Sequence, residues 1–195
     1  MNIRKATYED VPRIMEICGE ARGIMRADGN MNQWTGGYPS EEVIRTDISR
    51  GVGYVISRVG NDASLTDNGA CFSGTDGHIS RSSRISRTSR IEGYFTCIPG
   101  IEPTYLQIEG GRWLDDSRPY CTIHRLASTA DSHGIARACF DWCWGQCRNL
   151  RIDTYEDNRI MRHCIESFGF IYCGVIYLQD GAPRLAYQRI DTPGK

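Results

Sequence analysis

No stretch restricts the fold as much as Tyr120 to Ile190, where strand and helix patterns alternate without interruption. The run "YCTIHRLAS" reads as a strand, a small polar loop "TADSHG" follows, and "IARACFDWCWGQC" reads as a helix. A strand "LRIDTY", a helix from Asn158 ending "FGF", a strand reaching Leu178, a "QDGAP" turn and a strand "RLAYQRI" complete the series. Such an order predicts a sheet with helices packed on it.

The first half supplies the remaining layers. "NIRKA" alternates as a strand, and Thr7 with Asp10 three residues on resembles a capping box at a helix start. Ile14, Ile17, Cys18, Ala21 and Met25 then fall at helical spacing. The Gly-rich loop "DGNMNQWTGGYP" precedes a second helix capped by Ser40, which Gly51 and Gly53 separate from the strand "YVISRV". From Asn61 to Arg90 the composition shifts to Ser, Gly, Asp, Asn, Thr and Arg, and apolar periodicity disappears. Strand character returns in "IEGYFTCI", with a turn-rich stretch to Pro119. The expected fold class is mixed α/β, with a mostly antiparallel central sheet flanked by helices on both faces. It forms one domain over residues 1–195, with 61–90 as a Ser/Arg-rich inserted loop.

Composition narrows the partners. A formal charge of -1 gives no global pull toward nucleic acid or an anionic membrane. Nucleic acid is therefore not an expected partner. No apolar run approaches the ~20 residues of a membrane span, and "MNIRKATYED" lacks the apolar stretch of a signal peptide, so a cytoplasmic location is expected. Nine cysteines without a C-x-x-C pair suit free thiols. Cys139, Cys143 and Cys147, four apart on one helix, span about 12 Å of its axis, too far to share one zinc, so no metal is expected. In the insert, Arg81, Arg84, Arg87 and Arg90 recur every third residue, but Asp62, Asp67 and Asp76 nearly balance them, and a solvated loop is the expectation.

The loop before "IARACF" carries Gly134 at a helix start, where unpaired N–H groups and the helix dipole suit a phosphate. On its own this motif also fits a plain turn. Taken in order, however, the Gly-x-Ala helix start, "RIDTYEDN", the short helix ending "FGF", and "IYCG" resemble the GCN5-related N-acetyltransferase (GNAT) family. The likeness runs from "IRKATYEDVPRIMEI" over almost the whole chain outside the insert. It implies an acetyl-CoA-dependent N-acetyltransferase acting on a primary amine of a small molecule or peptide. A binding module or sensor for acyl-CoA with little turnover is the alternative, and a homodimer is compatible with either.

The resemblance also implies roles. Coenzyme A would lie along Leu126, Ala127 and Ser128, on the backbone of His133, Gly134, Ile135 and Ala136, and against Asn158. Asn158 also suits a helix N-cap through its oxygen, with its amide hydrogens left free. Asp131 departs from the family pattern, because it puts a carboxylate where a neutral or basic side chain is usual. A Glu that serves as base in many relatives corresponds to Thr122, which cannot take a proton. His124, two residues on and hence on the same strand face, is the candidate base, with a hydrogen-bonded core histidine as the plain alternative. The family's tyrosine acid corresponds to Ile165, leaving the acid unassigned. Gln33, Trp34, Tyr38 and Tyr94 are the candidate substrate-binding residues, through aromatic walls that could hold an amine. No acidic cluster is apparent among them.

Overall fold

The computed structural model describes residues 1–59 and 89–191, so Arg81, Arg84 and Arg87 and most of the inserted loop lie outside the described residues. The elements are β1 (Asn2–Lys5), α1 (Val11–Ala27), α2 (Glu41–Ser49), β2 (Gly53–Val59) and β3 (Ser89–Pro99). They are followed by β4 (Cys121–Ser128), α3 (Ile135–Gln146), β5 (Asn149–Thr154), α4 (Arg159–Ser167), β6 (Ile171–Tyr177) and β7 (Pro183–Ile190). One boundary differs from the sequence reading. Ser89 and Arg90, assigned to the insert, open β3 and pair with Val59 and Arg58 of β2, because the ladder continues past the point where apolar alternation stops.

The seven strands form one sheet in the order β1-β2-β3-β4-β5-β7-β6. All neighbours are antiparallel except β4 and β5, which are joined through α3 as a parallel crossover. Strand alternation distributes the apolar residues to two faces. Val55 and Tyr94 face α1 and α2, meeting Val11, Ile14, Ile17, Cys18 and Ile44. Ile56 and Phe95, one residue on, face α3 and α4 and meet Ile135, Cys139, Phe140, Cys143 and Ile165. Burial of each such aliphatic or aromatic side chain stabilises the fold by about 1.5–3 kcal/mol.

The "FGF" ending closes α4 and locks it to the sheet. Gly169, at φ +88°, donates to Glu166 O at 2.9 Å, and Phe170 N donates to Ile165 O at 3.3 Å. These two bonds make a Schellman cap, whose left-handed residue favours glycine. Phe168 and Phe170 are thereby turned onto Phe140 of α3, with ring centroids 5.2 and 5.4 Å from it.

Candidate active site

The parallel pairing of β4 with β5 is short. It joins Cys121–Ile123 to Leu150–Ile152 and ends there, after which the strands separate. At the same level β4 carries a bulge: Tyr94 pairs with Ala127 and Thr96 with His124, so Arg125 and Leu126 together oppose Phe95. Arg125 takes φ +54°, a conformation costly for a side chain of its size and persisting where the surroundings hold it. Its guanidinium is held at 2.7 Å by each Asp47 oxygen and donates to Tyr38 Oη at 3.1 Å. A cleft of about 600 Å³ opens where the strands part.

The separated strands, the α1–α2 loop, the start of α4 and the β6–β7 turn wall this cleft. His124 lies in it between two carboxylates, with Nε2 3.4 Å from Glu102 Oε2 and Nδ1 3.6 Å from Asp153 Oδ1. Tyr105 Oη donates to the same Asp153 oxygen at 2.7 Å. Glu102 caps a 3-10 turn, Pro103–Tyr105, and accepts from Thr104 Oγ1 at 3.1 Å. The contact with His124 is the main reason the Glu102 carboxyl sits below its ordinary range. Burial, with Asp153 adding to it, keeps the Tyr105 phenol protonated.

Gln33, Trp34, Tyr38, His124, Leu126, Ala127, Ser128 and Asn158 all line the cleft. Tyr94 does not. It is fully buried between α1, α2 and the sheet, and its hydroxyl donates to Asp47 at 3.0 Å. Its part is thus to help hold the Asp47–Arg125 pair from behind, because its β3 position points it into the core. Asn158 caps α4 by accepting from Met161 N at 3.0 Å. Its amide is not wholly free as the sequence suggested, since Nδ2 donates to Gln33 Oε1 at 2.8 Å. With Asn32 on Asp157 at 3.0 Å and Arg159 on Asp28 O at 3.0 Å, this bond straps the α1–α2 loop to α4.

Beyond the C-terminal end of β4, Gly134 takes φ +77° as the N-cap of α3 and offers no side-chain cap. His133 and Gly134 are exposed, Ala136 is half-buried, and the Ile135 side chain is buried in the core, so that residue can offer only its backbone outward. Asp131 turns to solvent with 68% of its side chain exposed and lies 3.5 Å from Arg90, while Arg58 donates to His133 O at 3.0 Å. The loop is therefore not left with an uncompensated carboxylate. Ile165 is wholly buried in the core and brings no proton to the cleft.

The sequence reading missed Glu102, Asp153, Tyr105, Asp47, Arg125 and Arg184 at this site. Asp153 carried a signal, an acid inside the apolar strand "LRIDTY", one step beyond the last residue paired with β4. Glu102 carried none, lying in a turn-rich stretch without periodicity. The absence of an acidic cluster in the loop was a property of the loop alone; the carboxylates come from elsewhere in the chain.

No family model and no curated protein matches the sequence. Solved structures do. An acetyltransferase of the GNAT family from Streptococcus agalactiae is 28% identical, with a TM-score of 0.76 over 98% of this chain and 96% of its own. The chain has the GNAT fold. More distant GNAT-fold neighbours include a ribosomal-protein-alanine N-acetyltransferase from Brucella melitensis, 17% identical with a TM-score of 0.57, covering 98% of this chain and 100% of that one. The NatC complex bound to Gag peptide and CoA aligns at 15% identity and a TM-score of 0.54, over 98% of both chains. In this GNAT-fold chain β4 carries the bulge and the cleft residues His124 and Leu126–Ser128, and the turn that follows it leads to the α3 start.

Proposed function

We propose that this GNAT-fold protein is an acetyl-CoA-dependent N-acetyltransferase that moves an acetyl group to a primary amine by direct attack on the thioester. The observation that carries the reading is one cleft that holds His124 between Glu102 and Asp153, passes Asn158, and ends at Ser128 on β4, from which the chain turns to the uncapped start of α3. The residues fit the coenzyme: the α3 start has no side-chain cap, so its N–H groups are open to a phosphate, and Arg58 and Arg90 lie close by. Backbone groups of residues 133–136, the edge Leu126–Ser128 and the remaining amide hydrogen of Asn158 would hold it. When bound, acetyl-CoA supplies the acetyl group already activated as a thioester.

The chain's own work is to deliver a neutral amine. An alkylammonium with pKa near 10.4 must lose a proton, which at pH 7 costs about 4.6 kcal/mol. His124 takes that proton, and Glu102 and Asp153 on either side offset the positive charge the imidazole gains. The same carboxylates draw the incoming ammonium into the cleft. A binding-only module keeps one observation in its favour, the absence of a phenol at Ile165. Calorimetric titration with acetyl-CoA, followed by a panel of primary amines with detection of released thiol, decides: no binding by folded protein rejects the acetyltransferase, and turnover of any amine rejects the binding-only module.

A further inference from the structure

Three arginines are largely buried beneath the sheet's working surface, and they are satisfied very differently. Arg125 has both Asp47 oxygens and Tyr38 as acceptors. Arg151 donates from Nη2 to Asp115 O at 3.0 Å and to Asp116 Oδ1 at 2.7 Å, lies 4.0 and 3.9 Å over the Trp113 and Tyr120 rings with its Nε alone left without an acceptor, and is away from the cleft. Arg184, on β7, lines the cleft with only 11% of its side chain exposed. Among the described residues its side chain makes no hydrogen bond, and its Nε and Nη1 are buried without an acceptor. Asp153 Oδ2 lies 3.6 Å from Nε, outside hydrogen-bond reach, and the Tyr155 ring lies 3.5 Å from its central carbon. A buried guanidinium with unmet donors is costly, because each such donor has given up its water without a replacement. Nη2 is neither buried nor hydrogen-bonded, and through it an anion in the cleft can reach the guanidinium.

We infer that Arg184 is the acceptor-recognition residue, and that the amine substrate carries an anionic group, a carboxylate, a few bonds from its nitrogen. The inference rests on the acetyltransferase reading above. Asp153 fixes the spacing: Oδ1 faces His124 and Oδ2 faces Arg184, so one carboxylate separates the place where the amine gives up its proton from the place where the anion sits. Tyr155 holds the guanidinium flat and pre-organised, so its accessible Nη2 is presented to a carboxylate as a charge-assisted hydrogen-bond donor. Glu102 and Asp153 take the ammonium end while Arg184 takes the acid end, so the cleft suits a small zwitterion better than a polyamine or an uncharged amine.

The test uses glycine, β-alanine and γ-aminobutyrate, each beside its carboxamide, with putrescine as the dication. With the full-length protein and acetyl-CoA, at least one amino acid is expected to exceed its amide in kcat/KM by roughly tenfold to a hundredfold, and putrescine likewise. In Arg184→Gln the acid-to-amide ratio falls to within about twofold of unity, and Arg184→Lys keeps part of it, because a point charge replaces the planar guanidinium. Calorimetry of the same amino acids with wild type and Arg184→Gln, without acetyl-CoA, reads the anion site apart from turnover. A wild-type ratio near unity, a preference for putrescine, a ratio unchanged in Arg184→Gln, or neither binding nor turnover of any amino acid overturns the inference. Failure of acetyl-CoA to bind instead removes the enzyme reading, while binding of an amino acid lost in Arg184→Gln would still support the anion site.

Discussion

At the residue scale the cleft depends on side chains that lean on one another across long sequence distances. In the proposed reaction His124 takes the proton of the amine, so His124→Ala is expected to lower kcat by about 10²-fold or more with little change in acetyl-CoA affinity. Steady-state kinetics beside calorimetry checks this, and an unchanged kcat would make His124 structural. Asp10 acts far from the cleft. It accepts from Arg4 at 2.7 and 2.8 Å and from Thr7 N at 2.8 Å, and these bonds, Arg4 first, hold its carboxyl below the usual range. A depressed pKa in the folded state means the contribution is complete above the unfolded value near 4 and is lost as pH falls through the folded one. Asp10→Asn should cost about 1–3 kcal/mol in urea unfolding at pH 7. The difference from wild type should shrink as the pH drops below about 4, and a difference that persists undiminished at pH 2 would contradict this account.

At the scale of the element, α4 joins two tasks in one short helix. Its start is capped by the Asn158 oxygen while the Asn158 amide reaches Gln33, and its end is the glycine cap that packs Phe168 and Phe170. Asn158→Ala removes cap and amide together and should cost about 1 kcal/mol of stability as well as weaken coenzyme binding. Asn158→Asp retains an oxygen cap without the amide, so stability should hold while coenzyme affinity drops. Equal affinities in both variants and wild type would remove Asn158 from the coenzyme site. The helix was legible in the sequence because cap, apolar spacing and terminal glycine agree. The strap from Gln33 was not, since nothing local to either residue signals a partner so far along the chain. The same holds for Tyr94, whose aromatic character is visible in sequence but whose strand face is decided by register with β2 and β4.

At the scale of the whole molecule, the order of strands and helices was legible from alternation and turn residues, and the GNAT fold from the order of four pieces. The acidic flanks of His124 were hidden because Glu102 and Asp153 meet only once the sheet is assembled. The β2–β3 hairpin is another property of the assembled sheet: Val59 and Ser89 are direct register partners. A short Gly-Ser linker in place of residues 60–88 should therefore preserve a cooperative melt and coenzyme binding, because the strand ends already meet. Loss of the melt would make the segment part of the core. The early end of the β4–β5 ladder, finally, has a mechanical meaning. Two plates of sheet share a hinge at Cys121–Ile123 and Leu150–Ile152, and β4 runs on for five residues from His124 to Ser128. At roughly 3.3 Å per residue that is a lever of about 16 Å, so a rotation of about five degrees at the hinge widens the mouth by about 1.4 Å. Such a rotation would have to stretch the three bonds that strap the α1–α2 loop to the start of α4, so the width of the slot is set by that strap as much as by the ladder.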